Sequence, residues 1–374
     1  MPLNTPIFIT GLRRSGTSLV KRLLDGHPEL FVYPPNELHV FRHTEHDGLV
    51  SYKIDRGPEL EDIKRALTEE PSLQKLADPE SRVHRPCVDV EGFCRCLLGT
   101  PVGDLAGLFE AVRNCMAAHG GHVQGDPAGL RFVVKTVLES EYFLEMADLF
   151  PDMKMVYVLR NPYGHLHAVR TISRKGYTGA PKDDPFPYLG SEIRRMHHSF
   201  YFMRKFQSLF PDRFRVLVYD QLVNAPKAEL TALSRFLSIE FHESLLVPSI
   251  CGQPCSSQST VIGEVGPTID PRPSALWTKT ITPLEVHLVN RHFLHILDEF
   301  GFEVLEAEGD PCSRFGLKES RSTYKKNRAL LDQATIDVFL PLARRNTDAY
   351  ERVAMAQRNP LRVWASRLKQ RILG

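Results

Sequence analysis

Pro6-Ile7-Phe8-Ile9-Thr10-Gly11-Leu12-Arg13-Arg14-Ser15-Gly16-Thr17-Ser18-Leu19-Val20-Lys21-Arg22-Leu23-Leu24-Asp25-Gly26-His27-Pro28 is the stretch whose reading decides the fold. Ile7 to Ile9 is an apolar run of the length of a buried strand, and Leu19, Val20, Leu23 and Leu24 recur at helical spacing. Between the two lies a turn. Gly11 and Gly16 bracket Leu12-Arg13-Arg14-Ser15, so the chain can bend at both ends and present consecutive backbone N–H groups with no Cβ in the way. The following helix directs its positive end at the same spot, which makes the loop a seat for a phosphate.

The glycine spacing matches the Walker pattern, but Thr17-Ser18 stands where a nucleotide triphosphatase has Lys-Ser or Lys-Thr. Without that lysine the loop can hold a phosphate but lacks the group that grips the β- and γ-phosphates of ATP, and Arg14 supplies a cation from inside the loop instead. Arg14-Ser15-Gly16-Thr17-Ser18, continued by Leu24-Asp25-Gly26-His27-Pro28, resembles the 5′-phosphosulfate loop of sulfotransferases that use 3′-phosphoadenylyl sulfate (PAPS). It is most similar to the branch that contains the tyrosylprotein and many bacterial sulfotransferases. The resemblance implies that Arg13, Arg14, Ser15, Gly16, Thr17 and Ser18 bind the nucleotide.

Further along, Leu30 to Tyr33 is strand-like and Pro34-Pro35 ends it. In the resembling family the segment after this strand carries the general base. Glu37 is the candidate and His39 its rival; the bland alternative is that Asn36 caps a helix and Glu37 sits in the first turn. Phe132-Val133-Val134 is again strand-like and ends at Lys135-Thr136, where the resemblance implies a lysine that reaches the transferring group, with Val137 in place of the usual proline. Strand tips are where ligands gather on a parallel sheet. A third strand, Lys154 to Leu159, ends at Arg160-Asn161-Pro162, with Pro162 suited to a helix's first turn. By resemblance Arg160 takes the 3′-phosphate, a bidentate contact that suits a guanidinium. Ala168 stands where the family has a serine, so Arg170, Thr171, Ser173 or Arg174 could replace it. Cys251 to Ser274 reads as a long loop leading to Trp277, and Ser257 and Lys279 are the nearest equivalents of the family's cofactor-covering residues.

With 374 residues the chain can bury a sizeable core. The net charge of +2 argues against a nucleic-acid binder, whose basic excess would show in the total. The sequence has no apolar run long enough to span a membrane and no signal segment at its start, so a cytoplasmic protein is expected. The seven cysteines have no zinc-site spacing; free thiols in a reducing compartment, and no metal, are the expectation. Helices are expected over 105–116, 191–210, 226–237 and 283–300, and a loop over 177–188.

The expected architecture is α/β: a P-loop-like three-layer α/β/α domain with a mostly parallel central sheet over 1–305, then a basic helical extension over 306–374. In that tail Leu361, Trp364, Leu368 and Ile372 share one helical face, either a surface for membranes or acidic glycans or a helix docked on the parent domain. The expected activity is transfer of a sulfuryl group from PAPS to a hydroxyl or amine of an acceptor, without an obligatory metal, with Glu37 as base and Arg14 and Lys135 stabilising charge. The alternatives are a P-loop nucleotide kinase or other phosphotransferase, and a non-catalytic acidic-glycan-binding protein.

Overall fold

The computed structural model describes residues 5–38, 42–45, 48–51, 60–78, 86–120, 129–137, 140–174, 187–259 and 263–306. The first strand is β1 (Ile7–Gly11), followed by α1 (Thr17–Leu24) and β2 (Leu30–Val32). A hairpin of β3 (Arg42–Glu45) and β4 (Gly48–Ser51) precedes the helices α2 (Leu60–Thr68), α3 (Pro71–Gln74), α4 (Val90–Gly99) and α5 (Leu105–His119). Then come β5 (Arg131–Lys135), α6 (Phe143–Leu149), β6 (Lys154–Leu159), α7 (Pro162–Arg174), α8 (Pro187–Leu209) and β7 (Phe214–Val218). The described chain closes with α9 (Tyr219–Asn224), α10 (Pro226–Leu237), α11 (Arg272–Ala275) and α12 (Pro283–Glu299).

The five strands expected near residues 7, 31, 133, 156 and 216 form one sheet in the order β2-β5-β1-β6-β7. Every pairing in it is parallel, with Ile9 opposite Lys135 and Gly11 opposite Val158. Side chains alternate between the faces of a strand, and both faces of this sheet are covered. Ile7, Ile9, Val133, Val156 and Val158 point to one side, where α1 supplies Val20 and Leu23 and α10 supplies Leu230 and Leu233. Phe8, Phe132, Met155 and Tyr157 point to the other, among Phe93, Phe109, Phe143, Phe206 and Phe293 of the helical cover. Burying each such side chain contributes roughly 1.5–3 kcal/mol, so the two apolar layers fix the register of the sheet. All five strands therefore end on one edge, and that edge carries the site.

Three expectations change. Residues 251–274 are not a plain loop: Ser249–Ile250 pairs with Gln253–Pro254 and Ser257–Ser259 pairs with Gly263–Val265, both antiparallel. Asn36 caps no helix, because residues 36–38 run on without helical structure. The cysteines are not all free thiols. Cys87 is joined to Cys251 and Cys96 to Cys115, while Cys94 and Cys255 stay free. The first bridge spans 164 residues of sequence, a separation that spacing rules cannot see. Free thiols thus no longer argue for a reducing compartment. His39, residues 177–186 of the loop expected over 177–188 and the extension beyond Glu306 lie outside the described residues, while 187 and 188 open α8 instead of ending that loop. No described helix is long and apolar enough to cross a membrane.

Candidate functional site

The loop between β1 and α1 turns where its residues allow it. Gly11 has φ 144° and Gly16 φ 107°, both in the region that excludes side chains at little cost only for glycine. Space enforces the same choice. A Cβ on Gly11 would lie 2.6 Å from Val158 O, and one on Gly16 would lie 2.3 Å from the Tyr219 ring. Arg14 also has positive φ, 68°, a strained state for a non-glycine residue that concentrates at functional turns. Gly16 caps α1 without a side-chain acceptor, and the first turn has no acidic residue, so its N–H groups and dipole face an anion seat. Arg13 and Arg14 are exposed, Ser15 and Thr17 buried, and Ser18 half-buried.

At the tip of β5, next to this loop, sits a polar cluster. The buried Lys135 Nζ donates to Ser18 Oγ at 2.8 Å and to Asn36 Oδ1 at 2.9 Å, and lies 3.0 Å from Glu37 Oε1. Burial lowers the Lys135 pKa, and the Glu37 charge opposes that shift. The strand order explains the meeting. β5 lies between β1 and β2, so its terminal lysine reaches both the loop after β1 and the segment after β2.

On the other side of β1, the tip of β6 delivers Arg160. Its Nη1 donates to Arg14 O at 3.1 Å and its Nη2 to Pro273 O at 2.8 Å, tying the loop to α11. The guanidinium carbon lies 5.1 Å from the centroid of the Tyr219 ring, the same ring that closes on Gly16. The group is 6% exposed and has no carboxylate at ion-pair distance among the described residues. Burial pulls its pKa down and the Asp220 charge partly opposes this, yet an arginine stays charged, so a buried cation faces the site without an ion-paired carboxylate among the described residues. Asn161 then starts α7: its Oδ1 accepts from Tyr163 N, and its own N–H is held by Asp220.

Among the described residues, four buried polar atoms here have no hydrogen-bond partner: Arg160 Nε, Ser15 Oγ, His167 Nδ1 and Trp277 Nε1. Two of them meet at the tightly packed Gly164. A Cβ placed on Gly164 would meet Trp277 Nε1 at 3.0 Å and Arg160 Nε at 3.4 Å. Buried donors are seldom left unmade in proteins, and a phosphate oxygen is the acceptor that such a cationic cradle suits. His167, on the same helix, is held at about 4 by burial and then by the charges of Arg170 and Arg160, so it is neutral near pH 7.

The expected site residues divide accordingly. Ser18, Glu37 and Lys135 meet in one cluster, and Arg14 meets Arg160 through its carbonyl. Lys279 is exposed at the end of the turn that carries Trp277. Ser257 lies in the strand paired with Gly263–Val265, its side chain outside the description. Of the stand-ins for the missing serine, Arg170 is engaged with Thr280 O and Glu285, and Thr171 with His167 O. Sequence reasoning missed Asn36 as a partner of Lys135, and Tyr219, His167 and Trp277 Nε1 around Arg160. Only Gly164, a glycine inside a helical stretch, could have hinted at the close approach of another group.

A family model for the sulfotransferase family matches residues 6–243. The chain belongs to the sulfotransferase family. Among solved structures it is similar to the sulfotransferase domain of the Synechococcus PCC 7002 olefin synthase, at 20% identity and TM-score 0.47, covering 81% of this chain and 97% of that one. It is also similar to sulfotransferase STF9 from Mycobacterium avium, at 13% identity and TM-score 0.42, covering 81% of this chain and 79% of that one. Retinol dehydratase in a complex with retinol and PAP matches at 14% identity and TM-score 0.39, with coverage of 82% and 84%. No curated protein sequence matches.

Proposed function

We propose that the enzyme transfers a sulfuryl group from PAPS to an acceptor hydroxyl or amine, with Glu37 as general base. The observation that carries this reading is the cluster at the tip of β5, where one buried lysine touches both the phosphate loop, through Ser18, and the candidate base. The unpartnered donors around Arg160, cationic or neutral and none acidic, support binding of the second phosphate of such a nucleotide on this side of β1. The loop lacks the Walker lysine, which disfavours use of a γ-phosphoryl group.

In the reaction the acceptor oxygen or nitrogen forms a bond to sulfur as the bond from sulfur to the phosphate oxygen breaks. The acceptor proton passes to the Glu37 carboxylate, and adenosine 3′,5′-bisphosphate leaves. Little covalent work falls to the protein, so rate comes from alignment and from donors aimed at developing charge. Lys135, Arg14 and the α1 amides supply those donors beside the transferring oxygens and the leaving phosphate. Glu37 sits close enough to Lys135 that proton removal and charge stabilisation act at one point.

The test is radiolabelled sulfate transfer from PAPS to a panel of phenols, glycans and peptides, with ATP as the competing donor. Label should appear on an acceptor from PAPS alone, and Glu37→Gln should lower kcat by about 10²- to 10⁴-fold while adenosine 3′,5′-bisphosphate still binds. Full activity in that variant removes Glu37 from the role. Transfer from ATP instead would replace the reading with a phosphotransferase.

A further inference from the structure

The segment that presents Glu37 begins with two prolines. Pro34 and Pro35 have no backbone N–H, so their carbonyls are the handles by which the fold can hold this stretch. Both carbonyls accept from one side chain: Lys21 Nζ donates to Pro34 O at 2.8 Å and also to Pro35 O. Lys21 stands on α1, a little over one turn from the phosphate loop, and is 8% exposed. Just beyond, Asn36 N donates to Ser72 Oγ at 2.8 Å and Leu38 N to Lys135 O at 2.9 Å. The base is therefore pinned on both sides, by α1 before it and by β5 after it.

Lys21 has no obvious structural reason to be a lysine. Among the described residues no carboxylate lies at ion-pair distance from it, and a buried ammonium carries a desolvation cost that an apolar side chain would avoid. What it gains is two charge-assisted bonds to the backbone immediately before Asn36 and Glu37. It also lines a cavity of about 300 Å³ together with Ser18 and Asn36, the two hydrogen-bond acceptors of Lys135 besides Glu37.

We propose that Lys21 is a positioning residue for the transfer step: by holding the Pro34 and Pro35 carbonyls it sets where the Glu37 carboxylate stands relative to Lys135 and the acceptor. The proposal rests on the reading of Glu37 as base. Burial lowers the Lys21 pKa to about 7, with Lys135 and Arg22 lowering it and Asp25 and Glu70 raising it. The clamp thus weakens as pH rises through neutrality, when its ammonium becomes a neutral amine.

The test uses the full chain, radiolabelled PAPS and the most active acceptor of the panel. Lys21→Met should lower kcat by about 10²-fold, the effect of a misplaced catalytic group, and leave the Kd for adenosine 3′,5′-bisphosphate within about threefold of wild type. Combined with Glu37→Gln, the losses should not multiply, because both act through one carboxylate. Lys21→Arg, which keeps the charge and the donors, should recover part of the lost kcat. In the unaltered enzyme kcat should fall as pH rises through 7, a measurement that stands even if Lys21→Met does not fold. A kcat flat from pH 6 to 8, or losses that multiply in the double variant, overturns the role of Lys21 alone. Full activity of Glu37→Gln would instead remove the base assignment beneath it.

Discussion

Gly164→Ala sets two known effects against each other at one position of the cradle. Gly164 lies within α7, where alanine is preferred to glycine by about 1 kcal/mol from backbone entropy alone. A Cβ there would stand 2.9 Å from Trp277 Cδ1 and 3.0 Å from Trp277 Nε1, well inside contact distance. The indole cannot simply retreat. It is buried and stacks on Tyr163 with centroids 5.5 Å apart. Tyr163 is itself tied through its hydroxyl to Asn290 and to Leu305 N. Overpacking of this kind costs about 1–3 kcal/mol, so the net change is a loss of roughly 0–2 kcal/mol where a helical glycine replacement would ordinarily be a gain. The same methyl would push the Trp277 indole against its neighbours and crowd Arg160, and affinity for adenosine 3′,5′-bisphosphate should fall by tenfold or more, about 1.4 kcal/mol. Denaturant unfolding and titration calorimetry measure the two quantities. Gly99→Ala, in α4 with no atom within 4 Å of its added Cβ, is the control and should be neutral or stabilising. If Gly164→Ala were as stable as that control and bound the nucleotide at wild-type strength, the cradle would not be a phosphate site.

Three further outcomes follow from the structure. Gly16→Ala combines a positive φ with a Cβ 2.3 Å from Tyr219, so it should destabilise the chain by more than about 1 kcal/mol in denaturant unfolding and weaken nucleotide binding; unchanged values in both would contradict the loop geometry. His167 is held at about 4, below the 6.5 of the unfolded chain, so below pH 6.5 the unfolded state binds the proton first. Stability should therefore fall as pH drops from 6.5 to 4 by up to about 3 kcal/mol from this residue, and His167→Asn should remove that share of the slope; parallel stability curves for the two proteins would count against it. Reduction should lower stability through Cys87–Cys251 and Cys96–Cys115, whose loops correspond to about 5 and 3 kcal/mol in the chain-entropy picture, an upper bound. A thiol titration in denaturant should gain four groups on prior reduction, and no gain would mean the bridges do not form.

The linear chain settled those features that depend on neighbours. Gly11, Gly16 and the apolar runs on either side specify a strand, a turn and a helix within twenty residues, because backbone conformation and hydrophobic period are local properties. The five strands, with Lys135 and Arg160 at the ends of two of them and Glu37 in the segment after a third, were legible for the same reason. What tertiary structure alone decided was who meets whom. Placing β5 between β1 and β2 is what joins Lys135 to Ser18 on one side and Glu37 on the other, across 117 residues in the first case. The approach of Trp277 to Gly164, the reach of Lys21 to two proline carbonyls and the bridge from Cys87 to Cys251 depend on the packing of distant segments. Such contacts leave no local period, since a side chain's partner is set by how whole layers stack and not by the residues beside it.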